Sequence, residues 1–137
     1  MSNFDRILIP INGNESAMDF AIDTAKNAGA KLYLLTTYRL TDHNPDMKIV
    51  DNKSIRQTLE EEMRNKVESA YNEKLSTSGV PFEILVEIGF LSDRIIANID
   101  ELDIDVLVMD NMSFDSDDVI GERFHELKIP VLFKSAS

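Results

Sequence analysis

Five carboxylates crowd one short window of the chain: Asp110, Asp115, Asp117, Asp118 and Glu122, with Arg123 as the one basic neighbour. Such a group could hold a divalent cation or support metal-assisted hydrolysis. A phosphate chain brought here alone would meet like charge, each contact costing about 1–4 kcal/mol depending on exposure, and a cation would reverse that sign. The run Asp115-Ser116-Asp117-Asp118 lacks calcium-loop spacing, because Val119 and Ile120 fall where a ligand and the glycine belong. Asp115 or Ser116 as a helix N-cap, with acids in the first turn, accounts for the cluster without a metal. His43 and His125 stand alone, with no nucleophile or ligand partner at fixed spacing. Ser16 and Ser92 read as helix-start residues, Gly-x-Ser-x-Gly is absent, and the methionines are scattered fillers. The expectation is a protein without catalytic machinery and without a bound metal.

The window is positioned by what precedes it. Val106-Leu107-Val108-Met109 is a continuous apolar run, the pattern of a strand buried on both faces. Loops leaving the carboxyl ends of strands near a topological switch point form the ligand crevice of open α/β sheets, so Asp110–Asp118 is the candidate loop. Upstream, Ile7-Leu8-Ile9-Pro10-Ile11 reads as the first, central strand, with Pro10 at its carboxyl end because proline cannot donate to a ladder. Asn12-Gly13-Asn14 makes a turn. Glu15 then starts a helix capped by Asn14, with Ala17, Phe20, Ala21, Thr24, Ala25 and Ala28 inward and Gly29 closing it. Lys31–Thr37 is the second strand, and Tyr38–Lys53 a polar connection. A long helix over Ser54–Ser76 turns Ile55, Leu59, Met63, Val67, Ala70 and Leu75 inward. Pro81–Ile88 alternates as an edge-side third strand. Ser92 caps a short helix with Ile95, Ile96, Ile99 and Leu102 inward, and Ile104–Met109 is the fourth strand. A last helix spans Ser116–Leu127, with Ile120, Phe124 and Leu127 inward, and Pro130–Phe133 is the fifth strand. Strands alternating with helices imply parallel pairing through right-handed crossovers, hence a single three-layer α/β/α domain over residues 1–137.

Composition bounds the partners. A net charge of −11, with no cluster of lysines or arginines, argues against nucleic acid and anionic membranes. The absence of cysteine removes disulfides and thiolate chemistry. No basic n-region opens the chain, and no apolar run approaches the roughly 18 residues of a bilayer span, so a soluble cytoplasmic protein is expected.

Taken together, three segments resemble the universal stress protein family: ILIPINGNESAMDFAIDTAKNAGAKLYLL, VEIGFLSDRIIANIDELDIDVLVMD and KIPVLF. The first is similar to the family's strand ending Pro-x-Asp-Gly-Ser before an alanine-rich helix. The second resembles its Val-x-x-Gly, short helix and Asp-x-Leu/Ile-Val-Met-Gly strand, and the third its closing strand. The resemblance implies a five-stranded parallel sheet of order 3-2-1-4-5, a Rossmann-like crevice between the first and fourth strands, and a homodimer through the last strand. It also implies the crevice positions Pro10, Asn12, Thr37, Met109, Asp110, Ser113, Gly121 and Glu122. Nucleotide-binding members carry Gly-x2-Gly-x9-Gly-Ser/Thr after the fourth strand, where glycines let backbone N–H groups reach the phosphates. Here Asp110 and Ser113 stand at the first two glycine positions, Gly121 comes two residues early, Glu122 follows it, and Asn12 replaces the usual aspartate. The expectation is a non-enzymatic stress-response protein that does not bind ATP in the usual way and carries no cofactor. It would act by protein contact or through an unidentified small ligand. The alternative is a sensor holding AMP, ADP or ATP, with magnesium, through backbone groups of the crevice loops; a metal-dependent hydrolase is a third reading. An apolar last strand at a sheet edge independently predicts a homodimer through Pro130–Lys134.

Overall fold

The computed structural model describes residues 5–11, 17–38, 53–110 and 126–134. At its centre is β1 (Arg6–Pro10), buried at every position after Arg6 because strands flank it on both sides. β2 (Lys31–Tyr38), β3 (Phe82–Ile88), β4 (Val106–Asp110) and β5 (Val131–Lys134) complete a sheet of order β3-β2-β1-β4-β5. Every pairing is parallel, β1 aligning Ile9 with Leu34 of β2 on one side and Leu8 with Leu107 of β4 on the other. Pro10 ends its strand, as a residue without an N–H must, and the next amide, Ile11, donates to Leu35 O at 2.9 Å.

The pleat sends alternate side chains to two cores. Ile7, Ile9, Leu32, Leu34, Val106 and Val108 pack with α1 (Met18–Ala28) and with Val67 and Leu75 of α2 (Lys53–Ser78). Leu8, Tyr33, Leu35, Leu107 and Met109 pack on the opposite face with α3 (Leu91–Glu101), joined by Leu127, Ile129 and Val131. This is the expected three-layer arrangement.

Local readings need some correction. α1 presents Met18, Ala21, Ile22 and Ala25 to the sheet, so its inward stripe takes in two large side chains beside the alanines. Thr24 is half-buried and satisfies its hydroxyl by donating to Phe20 O at 2.8 Å. Ala17 stands at the helix start with helical backbone and no side-chain cap; the expected cap Asn14 lies outside the described residues. Gly29 closes α1 at φ 66°, its N–H and that of Ala30 donating back to Lys26 O and Ala25 O. In α2 Ala70 is exposed and Tyr71 packs against the core instead, because Val67, Tyr71 and Leu75 recur every four residues on one face. α3 is not capped by Ser92. Phe90 holds the cap position with extended backbone and no side-chain bond, and Ser92 is buried inside the first turn. The Tyr38–Lys53 connection, apart from its ends, and the Ser116–Leu127 helix, apart from Glu126 and Leu127, lie outside the described residues.

At the amino ends of β1 and β4, Asp105 fastens the two strands. Its Oδ2 accepts the N–H groups of Asp5 and Arg6 at 2.8 and 3.0 Å, and its own N–H donates to Arg6 O at 2.9 Å. Arg6 Nη1 in turn donates to Leu102 O at 2.6 Å. The fastening holds β1 level with β4, and so fixes how their carboxyl ends meet.

Candidate functional site

β1 runs into a helix on one face of the sheet, whereas β4 is fed by a helix on the other. The strand order therefore reverses between β1 and β4, and their carboxyl ends open the crevice that this topology provides. Of the crevice positions expected from sequence, Pro10, Thr37, Met109 and Asp110 lie in the sheet. Pro10 and Met109 are buried at the carboxyl ends of the two central strands. Asp110 is the last residue of β4 and pairs with Lys134 of β5, so the ladder to β5 includes this position. Thr37 lies beside Thr36 in the buried run of β2, which continues to Tyr38, and both hydroxyl residues are more than nine-tenths buried. Asn12, Ser113, Gly121 and Glu122 lie outside the described residues, as do Asp115, Asp117 and Asp118. Among the described residues no group of three or more His, Cys, Asp or Glu side chains could hold a metal ion.

Next to Thr37 the structure assembles a polar network that the sequence reading missed. Thr37 is in register with Glu87 of β3. Glu87 Oε1 accepts two bonds of 2.7 Å, from Arg94 Nε and from Asn98 Nδ2, both on α3. Asn98, only 2% exposed, also donates to Arg94 O at 2.8 Å. A single carboxylate oxygen thus ties the first two turns of α3 to the end of β3. The turn between them is Gly89, at φ 131°, whose N–H donates to Tyr38 O at 2.9 Å. A side chain at that φ would be strained, and a Cβ would also stand 3.5 Å from Arg94 Cδ. On the other face, Tyr38 donates its hydroxyl to Glu60 Oε1 of α2 at 2.8 Å. The signal was available: Asn98 interrupts the α3 stripe Ile95, Ile99 and Leu102, and a polar residue on a buried face needs a partner.

This end of the sheet also exposes apolar surface, with Ile88 38% and Phe90 49% accessible. Away from it, a shallow groove of about 590 Å³ runs between α1 and α2, with Ile22 on its floor. Lys74 bridges it to Asp19 at 2.8 Å. Its walls mix Asp23, Lys26 and Glu73, and none of them belongs to a strand end, so the groove is separate from the crevice.

A model of the universal stress protein family matches residues 3–111. A search of curated proteins finds no match. Among solved structures, the chain is similar to a universal stress protein in complex with cAMP, at 18% identity and TM-score 0.70, covering 99% of this chain and 100% of that one. A universal stress family protein from Burkholderia pseudomallei gives 20% identity and TM-score 0.71 over 96% of each chain. A universal stress protein from Archaeoglobus fulgidus in complex with dAMP gives 17% and 0.64, over 95% and 97%. At these identities the likeness is one of fold.

Proposed function

This chain belongs to the universal stress protein family, and we propose that within it the protein works without catalysis or ATP, as a homodimer. The observation that carries this reading is Asp110. A phosphate chain needs backbone N–H groups freed from the ladder and brought close, which glycine permits. Here β4 keeps its ladder to β5 through Asp110, opposite Lys134. The residue type also puts a carboxylate at the first glycine position of the family's pattern, and phosphates carry the same charge. The residues present do not fit a triphosphate. The protein then acts in the stress response by contact with another protein or by holding an unidentified small ligand in the crevice. The exposed pair Ile88 and Phe90, at the carboxyl end of β3, supports the contact reading.

Proteins of this fold have been solved with cAMP and with dAMP, which supports a second reading. In it the crevice holds AMP, ADP or ATP through backbone groups despite the lost glycines. Two measurements separate the readings: mass spectrometry of small molecules leaving the purified protein on denaturation, and calorimetry with ATP and magnesium. The first reading expects no retained nucleotide and no micromolar heat; a micromolar affinity for ATP would sink it.

For assembly, β5 forms one edge of the sheet, and a bare edge recruits a further strand. Pairing Pro130–Lys134 with the same segment of a second copy about a two-fold axis covers it. No helix among the described residues is long and apolar enough to cross a membrane. With the net charge of −11, that supports a cytoplasmic location away from nucleic acid and membranes.

A further inference from the structure

The sheet has a second edge, β3, and one side chain is fastened to it. In a parallel ladder alternate residues turn their peptide groups to opposite sides. Leu32 N–H donates to Pro81 O and Gly89 N–H to Tyr38 O, so the odd-numbered residues of this segment face β2. Phe82, Ile84, Val86 and Ile88 therefore turn their peptide groups outward. Such a row is a template for strand addition, and the apolar Ile88 and Phe90 at its end, 38% and 49% exposed, add adhesive surface. Across the middle of the row lies Arg64. From α2, whose Val67 and Leu75 anchor it in the core, Arg64 Nη1 donates to Ile84 O at 2.9 Å. An incoming strand would have to displace this guanidinium to reach that carbonyl.

We propose that Arg64 guards the β3 edge against pairing with a second copy of this chain, leaving β5 as the edge through which copies associate. The second half rests on the dimer reading given above; the first does not. One ladder acceptor withheld from an incoming strand, with a charged group to move aside, weakens pairing on the order of tenfold.

The test is sedimentation velocity of the full chain at rising micromolar concentration, wild type beside Arg64→Ala, with far-ultraviolet circular dichroism to establish the native fold. The variant is expected to form concentration-dependent species larger than those of wild type, with association strengthened on the order of tenfold. Adding Val86→Pro, which deletes an outward N–H and leaves the ladder to β2 intact, should return the wild-type distribution. An Arg64→Ala protein that sediments as wild type overturns the proposal, and so do larger species that persist in the double variant. If Arg64→Ala loses its fold, Arg64→Gln takes its place and the same outcomes decide. A monomeric wild type would remove the β5 dimer alone, because the guard is read from the difference between variant and wild type.

Discussion

Replacing Asn98 by alanine tests whether the Glu87–Arg94–Asn98 network holds the crevice end of α3 in place. The substitution removes two bonds, one to the Glu87 carboxylate at 2.7 Å and one to Arg94 O at 2.8 Å. A bond to a charged group contributes about 1.5–3 kcal/mol net and a neutral one about 0.5–1.5. The Glu87 side chain is 22% exposed, so water recovers part of its loss, and the low end applies, about 2 kcal/mol. For 137 residues that lowers the melting temperature by about 7 °C. The assay is a double-mutant cycle of Asn98→Ala and Glu87→Gln, read by urea unfolding under circular dichroism. Coupling of about 1 kcal/mol or more is expected, since both substitutions act on one oxygen. A coupling below about 0.5 kcal/mol would refute the reasoning. Asn98→Leu adds a control. A leucine variant as stable as wild type would mean that Ile95 and Ile99 accept an apolar neighbour, and that the network sets geometry more than stability.

Two further outcomes follow from the backbone and from the surface. Gly29→Ala places a Cβ in open space but at φ 66°, so it should cost only the backbone strain of a left-handed residue, about 1 kcal/mol, or about 3–4 °C by thermal melting; an unchanged melting temperature would contradict the capping geometry. The Lys31 ammonium donates to Glu83 at 3.0 Å, and that hydrogen bond raises its pKa above the ordinary 10.5, with Tyr33 adding to it and partial burial opposing. A raised folded value means that the pair's contribution is complete below 10.5 and is lost as pH climbs through the folded value. Nuclear magnetic resonance titration of the Lys31 side chain should show this, and Glu83→Gln should bring the midpoint back down; a midpoint indifferent to Glu83 would contradict it.

The fold could be read from sequence because its strands are nearly pure apolar runs. Ile7-Leu8-Ile9 and Leu107-Val108-Met109 suit only a sheet covered on both sides, and the helical spacings between strands then dictate parallel crossovers. Periodicity alone erred where two phases compete. Ala70 lies three residues after Val67 and Tyr71 four, and both satisfy a helical repeat; only the packed structure selects Tyr71. The Ser92 cap failed for a related reason. Phe90 takes the cap position two residues before Ser92, so α3 begins at Leu91 and draws Ser92 into the helix. Asn98 on the buried stripe signalled a need for a partner but not which one, because the members of the network lie up to eleven residues apart, on a strand and a helix whose contact depends on the turn at Gly89.

The crevice and its occupant follow different constraints, and this chain separates them. The crevice comes with the strand order, and strand order rests on cores that tolerate extensive substitution as long as volume and pattern persist. That is why a TM-score of 0.71 survives at 20% identity. Surface loops in general carry no such packing load, so loop residues can change without cost to a sheet. Asp110 sits at the junction of the two regimes. Its backbone belongs to the ladder with Lys134, and its residue type belongs to the loop's chemistry. A substitution there can abolish a phosphate site and leave the sheet intact, so the shared fold carries the inference of a crevice but not of its ligand. Asp110→Gly reverses the logic: it should leave thermal stability nearly unchanged, since only one strand-end residue is altered, and its effect on nucleotide affinity by calorimetry would measure how much of the missing site this position controls.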